Sequence, residues 1–136
     1  MMNKTEMQIE RDFYSYVKNS AFGKAIKGGI YRSEMRPSNA TSEDMVVKFL
    51  AGLDEQFQTG VVIINTYVPD IITTDGRPVA DKKRIGELQE LIYAFVDEAD
   101  GSDYWISLDG TPQTMTNEDI GQHFIYTRLK FKSITF

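Results

Sequence analysis

The sequence predicts a single α+β domain over residues 1–136, with a mainly antiparallel sheet of about five strands and two helices packed on one face. Two segments have the apolar periodicity of amphipathic helices. Three segments with strand-like alternation lie between them, and two more follow the second helix. The predicted order is therefore α-β-β-β-α-β-β. Strands that follow strands along a chain favour antiparallel pairing, and two helices can cover one face of such a sheet.

The two helices are predicted from their caps and apolar stripes. In "TEMQIERDFYSYVKN", Thr5 and Gln8 have the spacing of a capping box. The following "SAFGKAIKGG" is predicted to be a short turn. In "DKKRIGELQELIYAFVDEADG", Asp81 is placed to cap the helix start, and Gly101 to adopt the left-handed conformation after its end. The apolar stripe of this second helix consists of Ile85, Leu88, Leu91, Ile92, Phe95 and Ala99.

Strands are predicted where apolar residues alternate with others. The predicted strands are "IYRSE", "DMVVKFLAG", the stretch around "GVVIINTYVPD", "DYWISL" and "HFIYTRLKFKSITF". Two segments rich in turn-forming residues, "MRPSNATSED" and "DGTPQTMTNEDIGQ", are predicted to be connections. The segment from Pro69 to Ala80, "PDIITTDGRPVA", is predicted to be a long loop because it contains two prolines and an Asp-Gly turn.

The stretch from Gly60 to Asp70 is apolar on both of its faces. With the period of two of a strand, one face carries Val62, Ile64, Thr66 and Val68, and the other carries Val61, Ile63, Asn65 and Tyr67. A strand of this kind normally lies between two covering layers, and two helices cover only one face. We therefore expect another copy of the chain to cover the second face. If Val61, Ile63 and Tyr67 lie on it, they are candidate interface residues; with the opposite phase, Val62 and Ile64 take that place.

Three cations of the last strand, Arg128, Lys130 and Lys132, alternate with Leu129 and Phe131 and project from one face. One interpretation is a solvated face. In the other, these cations are further interface residues that meet acids of a neighbouring subunit. The candidate acids are Asp97, Glu98, Asp100, Glu118 and Asp119. Complementary charges of this kind set register and partner choice more than affinity.

Neither catalysis nor a cofactor or metal is predicted. The chain has no Cys, which excludes disulfides and thiolate zinc sites. Its one His, His123, lies in the last predicted strand, and the residues near it in sequence supply no metal or triad partner. Nucleophile-elbow and Gly-rich phosphate-binding motifs do not occur. No apolar run reaches the roughly 18 residues of a membrane span, and no signal peptide is expected. The net charge of −5 argues against specific nucleic-acid binding.

A resemblance to a known family rests on "RPSNATSEDMVVKFLAG" and "QTGVVIINTYVPD". Its features are Arg36-Pro37, then Ser42-Glu43-Asp44 at the start of a Val-rich strand, and a second strand that ends in Tyr67-Val68-Pro69-Asp70. With the amphipathic helix and the closing "TRLKFKSI", the chain resembles the small tail-completion (tail-terminator) proteins of long-tailed bacteriophages and prophages. The resemblance extends over about residues 13–136.

This resemblance implies a ring, typically of six copies, at the head-proximal end of the phage tail. Such a ring stops growth of the tail tube and forms the surface onto which the head connector docks. The implied partners are other copies of the chain, the tail-tube protein and the head-connector protein, while nucleic acid only passes through the ring. The resemblance implies no enzymatic activity and no cofactor. The implied location is the bacterial cytoplasm during assembly, and then the virion tail.

The long loop is expected to be mobile in the isolated protein and to contact a partner in the assembly, because connections of that length are usually functional or disordered. Its candidate contact residues are Asp70, Ile71, Ile72, Asp75 and Arg77. Two other functions remain open. One is another head–tail joining (neck) protein, and the other is a monomeric, non-enzymatic domain that binds a ligand or partner in a pocket lined by Trp105, Tyr104 and Tyr67.

Overall fold

The computed structural model describes residues 3–99, 103–117 and 121–133. In chain order its elements are α1 (Glu6–Asn19), α2 (Ala21–Ala25), β1 (Ile30–Arg32), β2 (Asp44–Asp54), β3 (Gln58–Pro69), β4 (Ile71–Ile72), β5 (Pro78–Val79), α3 (Lys82–Asp97), β6 (Tyr104–Leu108), β7 (Gln113–Asn117) and β8 (Gln122–Ser133). The main sheet has the strand order β1-β2-β3-β8-β6, with β7 also paired to β8, and β4 and β5 form a separate hairpin. Among the described pairs, β1 with β2 is parallel and the others are antiparallel. The predicted α+β class is confirmed.

The predicted helix starts are present. The Thr5 hydroxyl accepts a hydrogen bond from the Gln8 N–H, and the Gln8 side chain accepts one from the Thr5 N–H, which completes the capping box of α1. Asp81 caps α3 by accepting from the Arg84 N–H. The predicted cap at Gly101 lies outside the described residues.

The segment after α1 is not the turn that the sequence predicts, because Ala21–Ala25 form a second short helix. Its side chain Phe22 is buried in the core, which holds the segment against the sheet. Gly23 allows the close approach of α2 to α1, since a Cβ there would lie 2.0 Å from the Val17 carbonyl oxygen. The core contact of Phe22 therefore favours a helical turn in a segment whose glycines predict a break.

Two predicted connections also contain strands. In the segment predicted as a loop from Pro69 to Ala80, β4 pairs with β5, and the Thr73 N–H donates to the Arg77 carbonyl at 2.9 Å. In the last connection, Gln113–Asn117 form β7 beside β8. Most residues of β7 are exposed. A strand that is exposed to solvent on both faces lacks the apolar alternation from which strands are predicted.

The hydrophobic core lies between the three helices and one face of the main sheet. The helices contribute Ile9, Phe13, Val17, Phe22, Ile85, Leu88, Ile92 and Phe95, and Ile26 follows α2. The central strands contribute Met45, Val47, Val62, Ile64, Val68, Ile125, Leu129 and Phe131. Val62 and Ile64 therefore point to the core. Because side chains alternate along a strand, Val61 and Ile63 lie on the opposite face, which we call the open face. The structure thus selects one of the two phases that the sequence leaves open.

A β-bulge changes the faces of β2 near its end. Phe49 is opposite Val62, but Ala51 is opposite Val61, so one extra residue is present in β2. Beyond the bulge, Leu53 is opposite Thr59. Ala51 and Leu53 consequently lie on the open face. An unbroken alternation from the start of β2 would instead turn them toward the helices.

Buried ion pairs hold the connection between β1 and β2. Asp44, which is fully buried, accepts hydrogen bonds from the Arg36 guanidinium at 3.0 Å and the Gly29 N–H at 2.7 Å. Glu43 is bound by both nitrogens of one edge of the Arg84 guanidinium, at 2.7 and 3.0 Å, and by the Lys27 N–H. Burial by itself raises the pKa of Glu43, but the hydrogen bonds from Arg84 and the Lys27 N–H outweigh it and hold this pKa below its ordinary value.

The Glu43–Arg84 pair gives the stability a defined pH dependence. Since the pKa of Glu43 is depressed on folding, its contribution is present above the ordinary value of 4.5 and is lost as the pH falls through the folded-state pKa. We expect Glu43→Gln to lower the free energy of unfolding by about 1.5–3 kcal/mol at neutral pH. The difference from wild type should narrow below pH 4.5.

Urea denaturation at neutral and acidic pH measures this difference. Glu87→Gln is the matched control, because Glu87 contacts the same Arg84 at 3.2 Å but is exposed. That control should change stability by less than about 1 kcal/mol. If Glu43→Gln lowers the free energy of unfolding by the same amount at both pH values, the depressed pKa of Glu43 is contradicted.

Candidate functional site

The register of β3 and β8 places all six candidate interface residues on the open face. Val61 is opposite Lys130, Ile63 is opposite Arg128, and Thr59 is opposite Lys132. Tyr67 is on the same face, farther along β3 and opposite Phe124. Directly opposed residues of an antiparallel pair project from the same side of the sheet. The described helices all pack on the other side, so the open face carries the candidate site.

The centre of the open face is covered by the chain itself. Ile63 is only 6% exposed although no helix packs on it. In the sheet it lies between Lys48 on β2 and Arg128 on β8. The aliphatic parts of such side chains cover apolar surface while their charged ends stay in water. Part of the cover that the sequence assigns to another copy is therefore supplied within the monomer.

Exposed apolar surface is concentrated at one end of the open face. Leu53 and Trp105 are each 60% exposed. The Lys132 ammonium lies 4.2 Å from the ring centroid of Phe57 and 4.9 Å from that of Trp105. Cation–π contacts of this kind hold the two aromatic rings and the ammonium together. The result is an amphipathic surface of hydrocarbon with positive charge at its edge.

A groove of about 590 Å³ lies at the same end. Its walls include Leu53, Trp105 and Lys130, and its floor includes the paired glycines Gly52 and Gly60. The two glycines contribute only backbone to the floor, since a Cβ on either would point to the core side, toward Phe49 or Phe131. The open-face side chains Ala51, Thr59 and Val61 complete the floor. We call this feature the end groove. It can accept apolar side chains of a partner, with Lys130 available to an acid beside them.

The three cations of β8 have different surroundings. Arg128 contacts Asp109 at 3.1 Å, and its hydrogen bonds to the Tyr126 hydroxyl and to Asp109 raise the pKa of the guanidinium. The Lys132 ammonium lies over the rings of Phe57 and Trp105. Lys130 is exposed and makes no ion pair with the described residues. Sequence reasoning missed Asp109, whose position in a turn after β6 gives no sign of a pairing with β8.

The candidate counter-charges lie away from the stripe of cations. Asp97 is at the end of α3 and Glu98 is its C-cap, and both are exposed on the helical side of the molecule. Asp100, Glu118 and Asp119 lie outside the described residues. Asp97 and Glu98 therefore remain available to a second molecule.

The opposite end of the open face is built around Tyr67. Its ring lies 5.4 Å from that of Phe124 and 4.0 Å from the Arg36 guanidinium, by centroid distances. Tyr104 lies in the core, where burial raises its pKa and its hydroxyl donates to Asp12 at 2.8 Å. Adjacent residues of a strand point to opposite faces, so Trp105 faces away from Tyr104. The three aromatics expected to line one pocket thus occupy three different places.

The β4–β5 hairpin carries the candidate partner-contact residues. Asp75 pairs with Arg77 at 2.8 Å and accepts a hydrogen bond from the Thr73 hydroxyl. Ile71 and Ile72 are exposed, Ile72 by 68%. The hairpin follows the end of β3, so it lies about 30 Å from the end groove along that strand.

Asp70, at the base of the hairpin, is largely buried and lies 2.6 Å from the His123 ring nitrogen. Asp70 is distant from His123 in sequence, so the absence of metal or triad partners among the sequence neighbours of His123 gives no sign of this pairing. The pairing of β3 with β8 brings the two residues together. In the described part of the chain, no group of three or more His, Cys, Asp or Glu residues is arranged to hold a metal ion.

Among the described residues, no helix is long and apolar enough to cross a membrane. Comparison of the sequence with models of known protein families gives no match, and comparison with curated proteins gives none either.

The assignment of the two faces has a direct test. We expect Val62→Lys to prevent folding, because Val62 is fully buried and an unpaired ammonium in the core costs more than about 4 kcal/mol. Val61→Lys should fold, with a stability within about 1 kcal/mol of wild type. Circular dichroism and urea denaturation measure both. If Val61→Lys unfolds as completely as Val62→Lys, both faces are core and the open face does not exist.

Proposed function

We propose that this protein is a non-enzymatic structural subunit that self-associates through its open face. Within that class we propose a phage tail-completion protein, which forms a ring at the head-proximal end of the tail. In this role it acts in the bacterial cytoplasm during assembly and then becomes part of the virion tail. The observation that carries the proposal is the open face itself, with an apolar groove and free positive charge that none of the described helices covers.

The end groove supports an interaction at this face. Single exposed apolar residues are common on protein surfaces. Leu53 and Trp105, however, line one groove, and the exposed Phe57 lies beside it. A contiguous apolar patch with a polar rim is typical of an interaction site. Burying such a patch against another copy removes hydrocarbon from water, which is the main driving force of association.

The hairpin supports a subunit with more than one contact. Ile71 and Ile72 form a second exposed apolar surface, far from the end groove along β3. A subunit of a tail-completion ring has to contact its neighbours and also the tail tube and head connector. We therefore assign neighbour contacts to the open face, and contacts with the tail-tube or head-connector protein to the hairpin.

The residues that carry the resemblance support the fold of such a subunit. Arg36, Glu43 and Asp44 anchor the connection between β1 and β2 through buried ion pairs. Arg36 also lies over the ring of Tyr67 at the end of β3. These residues thus hold the framework, and the exposed residues of the open face and the hairpin supply the proposed contacts.

Trp105 provides a built-in probe of self-association, because it is the only tryptophan and is exposed on the open face. We expect its emission maximum to shift to shorter wavelength as protein concentration rises, since association moves the ring from water into an interface. Sedimentation velocity should show a larger species over the same concentration range. Negative-stain images should show closed rings.

Val61→Glu is the control, because it introduces a negative charge into the open face and leaves the core intact. It should stay monomeric, with the emission of an exposed tryptophan. A wild-type protein that is monomeric at every concentration would contradict the proposal. An oligomer whose tryptophan emission does not change would place the contact on another surface.

A further inference from the structure

The outer surface of α3 carries an acidic stripe. Its members are the exposed Glu87, Glu90, Asp97 and Glu98. At 100° per residue they fall within one side of the helix, nearly opposite the stripe that packs into the core, and on this side Lys83 precedes Glu87 by about one turn. The exposed ring of Tyr93 lies at the edge of this side. We call these residues the acidic face of α3.

The charges of α3 run against its macrodipole. The first turn contains Lys82 and Lys83 and no acid, while the last turn contains no base and ends at Asp97, followed by Glu98. Acids are favourable near a helix N-terminus and bases near its C-terminus. The distribution therefore weakens the isolated helix. The N-cap Asp81 is the exception, and the acids at the C-terminal end gain nothing from the dipole and are exposed.

The open face has the complementary pattern. Every exposed or partly exposed charge that the strands place on it is positive: Lys48, Arg128, Lys130 and Lys132. From Arg128 to Lys132 the stripe on β8 is about 14 Å long, at the rise of a strand. From Glu87 to Glu98 the acidic face is about 16 Å long, at the rise of a helix. The two stripes match in length and are opposite in sign.

We infer that the acidic face of α3 in one copy of this chain docks onto the open face of the next copy. The inference rests on the proposed self-association and specifies its geometry. Pairing of two open faces is disfavoured, because it brings together strands whose exposed charges are all positive, with Asp109 already bound to Arg128. In the docked arrangement, β3 lies between the helices of its own chain and a helix of the neighbour. That is the environment typical of a strand that is apolar on both faces.

The contact joins two different surfaces on opposite sides of the molecule, so it is heterologous. Each copy presents one open face and one acidic face, and the same contact can repeat from copy to copy. Such contacts form a ring where the rotation closes, and a filament where it does not.

Charge reversal tests the inference. Lys130→Glu makes the open face more acidic, and Glu90→Lys makes the acidic face more basic. We expect each variant alone to raise the dissociation constant of self-association about tenfold at low salt, where surface charges are least screened. An equimolar mixture of the two variants should associate nearly as well as wild type. The unchanged acidic face of the Lys130→Glu variant docks onto the unchanged open face of the Glu90→Lys variant, and the reversed charges meet in the other contact. Contacts between two copies of the same variant bring like charges together. The oligomers should contain the two variants in equal amounts.

Glu6→Lys is the matched control, since Glu6 is an exposed helix acid on α1 and should leave association unchanged. Analytical ultracentrifugation of each variant and of the mixture measures the effect. A wild-type protein that never associates overturns both the proposed function and this inference. Association that is weakened by Lys130→Glu but indifferent to Glu90→Lys overturns this inference alone. Binding of single-stranded DNA by monomeric wild type, lost in Lys130→Glu, assigns the open face to nucleic acid and also overturns the inference.

Discussion

The register between β3 and β8 is the constraint on which the rest of this structure depends. Side chains alternate along a strand, so a slip of one residue would turn Leu129 and Phe131 into water and Arg128 into the core. Both ends of the pairing resist such a slip. At one end, the buried Gln122 side chain accepts from Arg36 and donates to the Ser42 carbonyl. At the other, the backbone of Gly60 packs so close to the Phe131 ring that a Cβ would lie 2.8 Å from it.

Buried charge holds the connection between β1 and β2 beside the sheet. The connection between β1 and β2 contains few apolar side chains to hold it, and it is held instead through Glu43 and Asp44. Breaking a buried pair by removing one partner is strongly destabilising, because the remaining charge is left without compensation. These pairs therefore fix one conformation of the connection and place Arg36 over the Tyr67 ring. The contact between Arg36 and Tyr67 links the β1–β2 connection to the end of the open face that lies farthest from the end groove.

The sequence predicts the parts of the structure that depend on local periodicity. Helices α1 and α3 bury regular apolar stripes, and the central strands alternate, so their positions and the grouping of Arg128 and Lys130 on one face follow from spacing. Elements held by distant contacts escape prediction. The short helix α2 depends on burial of Phe22, and β7 is exposed on both faces. Asp109 and the Asp70–His123 pair meet their partners only through strand pairing. The bulge in β2 puts Leu53 on the open face, and nothing in the local alternation marks it.

The open face is neither uniformly hydrophobic nor uniformly polar, and this bears on the proposed self-association. The core between the described helices and the sheet is buried within one chain. At the centre of the face, long cationic side chains flank Ile63, which keeps hydrocarbon out of water in the monomer. Uncovered hydrocarbon remains mainly at the end groove, beside Lys130 and Lys132. The free energy gained by burying apolar surface is thus confined to the end groove. The cations determine which partner surface can bind the open face. In the proposed self-association, the chain folds first and associates afterwards, and charge limits association to a partner surface that is acidic.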